Sequence, residues 1–133
     1  MGALTSPKTY VALAVFHAVD AVLCAIPIPQ VEALLDDLRL YERKDGLHMG
    51  WALAVVKTMA AVGLASVYRF PGLARLTTAM LTLYFAIAIC MHVRTFDRAS
   101  SMTRLLMVLA AGFLAACAAM TVKGPDRHTA RSR

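Results

Sequence analysis

Residues 49–70 read MGWALAVVKTMAAVGLASVYRF, and a Pro-Gly dipeptide follows them directly. The stretch is apolar, and Lys57 is its only charged residue before Arg69. Its length matches the roughly 20 residues that an α-helix needs to cross about 30 Å of hydrocarbon. Trp51, near its start, suits the depth of the membrane interface. The stretch therefore predicts a membrane-spanning helix that ends at a tight turn.

Three further blocks of the chain share this length and apolar character. Hydrophobic residues make up 59% of the 133 residues, whereas soluble domains are usually about 45–50% apolar. We place the four predicted spans at about 9–28, 49–70, 73–93 and 102–122. The sequence thus predicts an all-α integral membrane four-helix bundle over residues 1–123, followed by a basic, mobile tail at 124–133.

Residues 30–46 differ from the four spans. Val31, Leu34, Leu35 and Leu38 recur at helical spacing, and charged residues occupy most of the positions between them. This pattern is typical of an amphipathic helix. We therefore predict a short interfacial helix between helices 1 and 2.

The net charge of +6 comes from cations at the helix ends and in the tail. No basic stripe interleaves with aromatic residues, so nucleic-acid binding is not predicted. The basic tail favours a location of both termini in the cytoplasm. Cys24, Cys90 and Cys117 lie within the spans without metal-ligand or CxxC spacing, which predicts buried, unpaired thiols.

Asp20 and Lys57 are charged residues at membrane depth, where charges usually face the bundle interior. Asp20 lies eight residues before the predicted end of helix 1, and Lys57 eight residues after the start of helix 2. Both therefore lie roughly 12 Å below the same membrane face, which predicts an ion pair. His17 lies one turn deeper on the Asp20 face, and helix 3 brings His92 and Arg94 to that membrane face. These five residues form the predicted polar cluster.

The cluster has three interpretations. In the first, Asp20 and Lys57 form a structural pair that fixes the register of the helices. In the second, the cluster is a ligand, quinone or proton site. In the third, the side chain of Lys57 simply extends toward the membrane interface. The structural pair is favoured. No catalytic residue and no metal site are predicted, and haem ligation by His17 and His92 is disfavoured because their depths differ by several turns. No cofactor is predicted, although a bound quinone is kept as an alternative.

Helix 4 carries small residues at helical spacing, namely Gly112, Ala115, Ala116 and Ala119. Small side chains allow two helices to approach closely. This face therefore packs either within the bundle or in a homo-oligomer, and the bundle is favoured.

Three motifs carry a family resemblance: residues 51–64, residues 71–76, and the His92-x-Arg94 end of helix 3. They resemble the DoxX-like family of small bacterial four-helix membrane proteins, over about residues 49–98. Lys57, His92 and Arg94 stand at the positions of the family pattern. The resemblance implies a bacterial cytoplasmic membrane and a link to membrane-bound oxidoreductases, such as thiosulfate:quinone oxidoreduction, or to oxidative-stress handling.

Three functions follow from these observations. The favoured one is a small, non-catalytic accessory or structural subunit of a redox-linked membrane complex. The alternatives are a proton-coupled transporter and an oxidoreductase that acts on a quinone or lipid substrate. The expected partners are the lipid bilayer and either other membrane subunits or further copies of the chain.

Overall fold

The computed structural model describes residues 3–26, 29–30, 32, 49–94 and 101–126. Within them, four helices run in the order α1 Pro7–Ala25, α2 Met49–Ala65, α3 Pro71–Arg94 and α4 Ser101–Lys123. Single 3₁₀ turns lie before α1 at Ala3–Thr5 and after α2 at Ser66–Tyr68. All four helices, α2 together with the 3₁₀ turn that extends it to Tyr68, are long and apolar enough to span a membrane. The predicted all-α membrane four-helix bundle is therefore confirmed.

The prolines set two of the helix ends differently from the prediction. Helix α1 stops at Ala25, because Ile26 adopts an extended conformation with φ −89° and ψ 125°. Ile26 precedes Pro27, and a residue before proline is driven away from the helical region. Pro71 begins α3 instead of forming a turn, since a proline is tolerated in the first turn of a helix.

Two predicted segments flank the described parts of the chain. The interfacial helix at 30–46 lies mostly outside the described residues, although Gln30 and Glu32 are helical. The tail at 124–133 is described only at 124–126. There, the backbone N–H of Asp126 donates to the carbonyl oxygen of Thr5 at 2.9 Å, and the Asp126 carboxylate accepts a hydrogen bond from the Thr5 hydroxyl at 2.8 Å. The start of the tail, residues 124–126, is therefore anchored, and the predicted mobility mostly concerns tail residues that lie outside the described part of the chain.

The helices pack most extensively as two pairs, α1 with α2 and α3 with α4. In the first pair, a Cβ atom on Gly50 would lie only 2.6 Å from the carbonyl oxygen of Cys24. In the second pair, the Thr121 hydroxyl donates to the Thr78 hydroxyl at 3.0 Å. Arg75 donates to two carbonyl oxygens in the last turn of α4, at 2.7 and 3.2 Å. These bonds satisfy acceptors that the end of a helix leaves open.

Larger side chains join the two pairs, and we call this contact region the seam. The Tyr10 hydroxyl of α1 donates to the carbonyl oxygen of Met120 in α4 at 3.3 Å. Phe113 of α4 stacks against Phe16 of α1 and Phe85 of α3, with ring centroids 4.8 and 5.3 Å apart. Aromatic side chains, rather than close backbone approach, thus connect α1 to the α3–α4 pair.

Two predictions about small residues are wrong in part. Gly112 and Ala115 are exposed, and a Cβ atom on Gly112 would meet nothing within 4 Å. Ala116 and Ala119 of the same face are half-buried, so this face packs only in part within the bundle, whereas Cys117 of the same helix is fully buried. Cys24 is also buried, but Cys90 is exposed. Both errors arise because interior and lipid-facing positions of a membrane helix are equally apolar.

Candidate functional site

The ammonium group of Lys57 on α2 forms an ion pair with the carboxylate of Asp20 on α1. The side chain of Lys57 is 12% exposed and that of Asp20 is 30% exposed. The structure therefore brings together the two charges that their matched depths predicted to pair. Each charge is partly buried with its counterion, which limits the cost of removing it from water.

Two further polar side chains adjoin this pair. The Cys24 thiol lies 4.0 Å from the second carboxylate oxygen of Asp20. The Tyr84 phenol of α3 lies within electrostatic range of Lys57, Asp20 and Cys24. A third helix thus contributes to the site.

Neither Cys24 nor Tyr84 was predicted as a site residue, although the position of each along its helix could have indicated it. Cys24 follows Asp20 by four residues and so lies on the same helix face. Tyr84 precedes Arg94, the end of α3, by ten residues. That spacing places Tyr84 roughly 15 Å along the helix from the membrane face near which Asp20 and Lys57 lie.

His17 is the most buried ionisable residue near the pair, with 1% of its surface exposed. It interacts electrostatically with Lys57 and Asp20, yet neither ring nitrogen has a hydrogen-bond partner among the described residues. A buried polar atom without a partner costs about 1–3 kcal/mol. Such atoms are rare in native structures, and each one calls for an explanation.

Aromatic rings pack against the imidazole of His17. The Phe16 ring meets it edge-on, with centroids 5.4 Å apart, and the Phe85 ring lies 6.0 Å away. Phe16 is itself 44% exposed, so one neighbour of the buried histidine faces outward. Aromatic contacts of this kind contribute about 0.5–1.5 kcal/mol each.

His92 and Arg94 lie further along α3. His92 is buried, with its Nδ1 atom 2.7 Å from the carbonyl oxygen of Ala88, while Arg94 is exposed at the end of the helix. His92 follows Tyr84 by eight residues, which is about 12 Å of helix rise. The structure thus groups three of the five predicted residues, His17, Asp20 and Lys57, and places the other two toward the predicted mouth.

No set of three or more histidine, cysteine or acidic side chains among the described residues could hold a metal ion. The polar groups that do come together are a cation, a carboxylate, a phenol, a thiol and an imidazole. Their chemistry suits charge pairing and hydrogen bonding within the membrane.

The fold and the site define a multi-pass membrane protein, built as a bundle of apolar helices around an intramembrane ion pair. No family model, no curated protein and no solved structure matches this chain. The resemblance to the DoxX-like family accordingly rests on the three sequence motifs.

Proposed function

We propose that the chain is a small, non-catalytic accessory subunit that stabilises a redox-linked protein complex in a bacterial cytoplasmic membrane. The ion pair between Asp20 and Lys57 is the observation that carries this proposal. Each charge is neutralised by the other, and together they hold α1 against α2. The two charges that would be costly to bury alone thus support the assembly of the bundle.

The outer surface supports the same proposal. Large apolar side chains cover it, and Met59, Val108 and Val122 are 70, 63 and 76% exposed. Such a surface fits lipid chains and the helices of other membrane subunits equally well, because both are apolar. Gly112, which has open space around it, would let a neighbouring helix approach α4 closely.

The test is extraction of the tagged chain, with its surrounding lipid, into polymer nanodiscs, followed by quantitative mass spectrometry. We expect oxidoreductase subunits at a fixed stoichiometry with the chain. Gly112→Leu should weaken this association without disturbing the bundle, since its side chain would extend into open space. Val62→Leu, at a position of α2 that is 65% exposed, is the matched control on a different helix and should leave the association intact. Recovery of the chain with lipid alone, or only with copies of itself, would refute the accessory role.

The same proposal includes membership of the DoxX-like family and an orientation with both termini in the cytoplasm. The hydrogen bonds between Thr5 and Asp126 place the two described ends of the chain at one membrane face. Cations lie toward that face at Lys8, Arg69 and Lys123, which favours the cytoplasm. Fluorescence from green fluorescent protein fused to the C-terminus would support this orientation, and activity of fused alkaline phosphatase would contradict it.

The alternatives make different demands on Asp20. Proton-coupled transport would require its carboxylate to exchange Lys57 for a proton or a substrate in every cycle, and the ion pair weighs against this. A quinone or lipid oxidoreductase would use the same cluster for proton exchange. Loss of activity of the assembled complex in Asp20→Asn, with the stability of the bundle retained, would favour the oxidoreductase.

A further inference from the structure

We propose that His17 is the polar contact of a binding site for a neutral, lipid-soluble molecule that carries a hydroxyl or carbonyl oxygen. The site lies in the seam, where the Phe16 and Phe85 rings pack against the imidazole and Phe113 stacks on both of these rings. This inference goes beyond the accessory role and does not depend on it.

The histidine itself points to a ligand with oxygen. A neutral imidazole has one N–H donor and one acceptor nitrogen, and both nitrogens of His17 are buried without a hydrogen-bond partner among the described residues. A hydroxyl group can satisfy either nitrogen, and a carbonyl oxygen can accept from the N–H. The apolar body of the same molecule would pack against the Phe16 and Phe85 rings.

Depth and charge argue that the ligand is neutral. His17 is the eleventh residue of the 19-residue helix α1, and therefore lies near the middle of the span. A charged lipid headgroup is costly at that depth. The nearest charges, Asp20 and Lys57, already neutralise each other, so neither an anion nor a cation would gain a free counterion.

The structure also provides a route from the bilayer. Phe16 is 44% exposed and contacts His17 and Phe113 through ring packing. The α1–α2 and α3–α4 pairs meet less extensively than the helices within each pair. Rotation of the Phe16 ring would therefore uncover the imidazole to a molecule dissolved in lipid, whose chain could remain among the lipid tails.

The experiment uses the full chain in phosphatidylcholine nanodiscs and octadecanol that carries a photoreactive diazirine. We expect labelled peptides from α1 or α3 near Phe16 and Phe85. Unlabelled octadecanol or a long-chain quinone should compete for the site, the former as a hydroxyl and the latter as a carbonyl ligand. Octadecane, which has no oxygen, should not compete.

His17→Phe keeps a ring in the seam and removes both nitrogens. We expect about a tenfold loss of specific labelling, which corresponds to one hydrogen bond, and an unfolding stability at least equal to that of the original chain. Tyr10→Phe, which removes a different polar atom from the seam, is the matched control and should label normally. His17→Gln, which restores a donor and an acceptor, should recover most of the labelling if His17→Phe folds poorly.

Two results would overturn the proposal. One is equal labelling of His17→Phe and the original chain. The other is equal competition by octadecane and octadecanol, which would show that the oxygen contributes nothing. Labelling is measured on the purified chain alone, so a failure to find partner subunits would leave this outcome unaffected.

Discussion

The ion pair gives the sharpest test of how this bundle is held together. Asp20→Asn and Lys57→Met each remove one charge while keeping the side-chain length. The remaining charge would then be partly buried without its partner. Breaking a fully buried pair in this way costs about 3–5 kcal/mol. Because Asp20 is 30% exposed, we expect a smaller loss, about 2 kcal/mol for each single substitution.

The double variant Asp20→Asn/Lys57→Met should also lose only about 2 kcal/mol, because it leaves no unpaired charge. The sum of the two single losses would be about 4 kcal/mol, so the coupling energy is about 2 kcal/mol. Steric-trap unfolding in bicelles measures these free energies within a membrane-like environment. The coupling corresponds to roughly a thirtyfold change in the folding equilibrium constant.

A control pair separates direct coupling from a general loss of stability. Arg69 is exposed at the other membrane face from the ion pair, so Asp20→Asn and Arg69→Met should show additive effects. If Asp20→Asn and Lys57→Met were equally additive, the ion pair would contribute nothing to the bundle, and the structural interpretation of the cluster would be refuted.

Two further predictions concern helix contacts. A Cβ atom on Gly63 would overlap the Thr77 hydroxyl, so Gly63→Ala should lower the stability by about 1–3 kcal/mol, and adding Thr77→Ala should relieve most of this loss. Gly112→Ala, in open space, should be neutral or stabilising by up to about 1 kcal/mol. Equal effects of Gly63→Ala and Gly112→Ala in thermal unfolding would contradict the packing argument. Arg75→Met removes the hydrogen bonds to the end of α4 and should lower the stability by about 1 kcal/mol. Amide exchange in the last turn of α4 should become faster, whereas Arg69→Met should leave that exchange unchanged.

The aromatic seam also affects how the bundle could respond to a ligand. Contacts within the helix pairs include the close backbone approach at Gly50 and the hydrogen bond between Thr121 and Thr78, whereas Phe16 and Phe113 meet through their rings. A ring can rotate without breaking a hydrogen bond. The part of the seam around Phe16 and Phe113 is therefore where a bound molecule would demand the least rearrangement.

The number and position of the membrane spans follow from the sequence alone, because the length of an apolar block is a local property of the chain. The sequence also indicates the pairing of Asp20 with Lys57. Depth in a membrane follows directly from the position along a helix, at 1.5 Å per residue. Residues at equal depth on consecutive helices can therefore be matched by counting along the chain.

The rotation of each helix about its axis is a property of the tertiary structure instead. The packed bundle brings Tyr84 within electrostatic range of Lys57, packs His17 against aromatic rings, and turns Gly112 outward. In a soluble helix, an apolar stripe would have revealed the inner face. In these helices the lipid-facing and core-facing side chains are both apolar, so rotation is set by the fit between neighbouring helices and leaves little trace in the sequence.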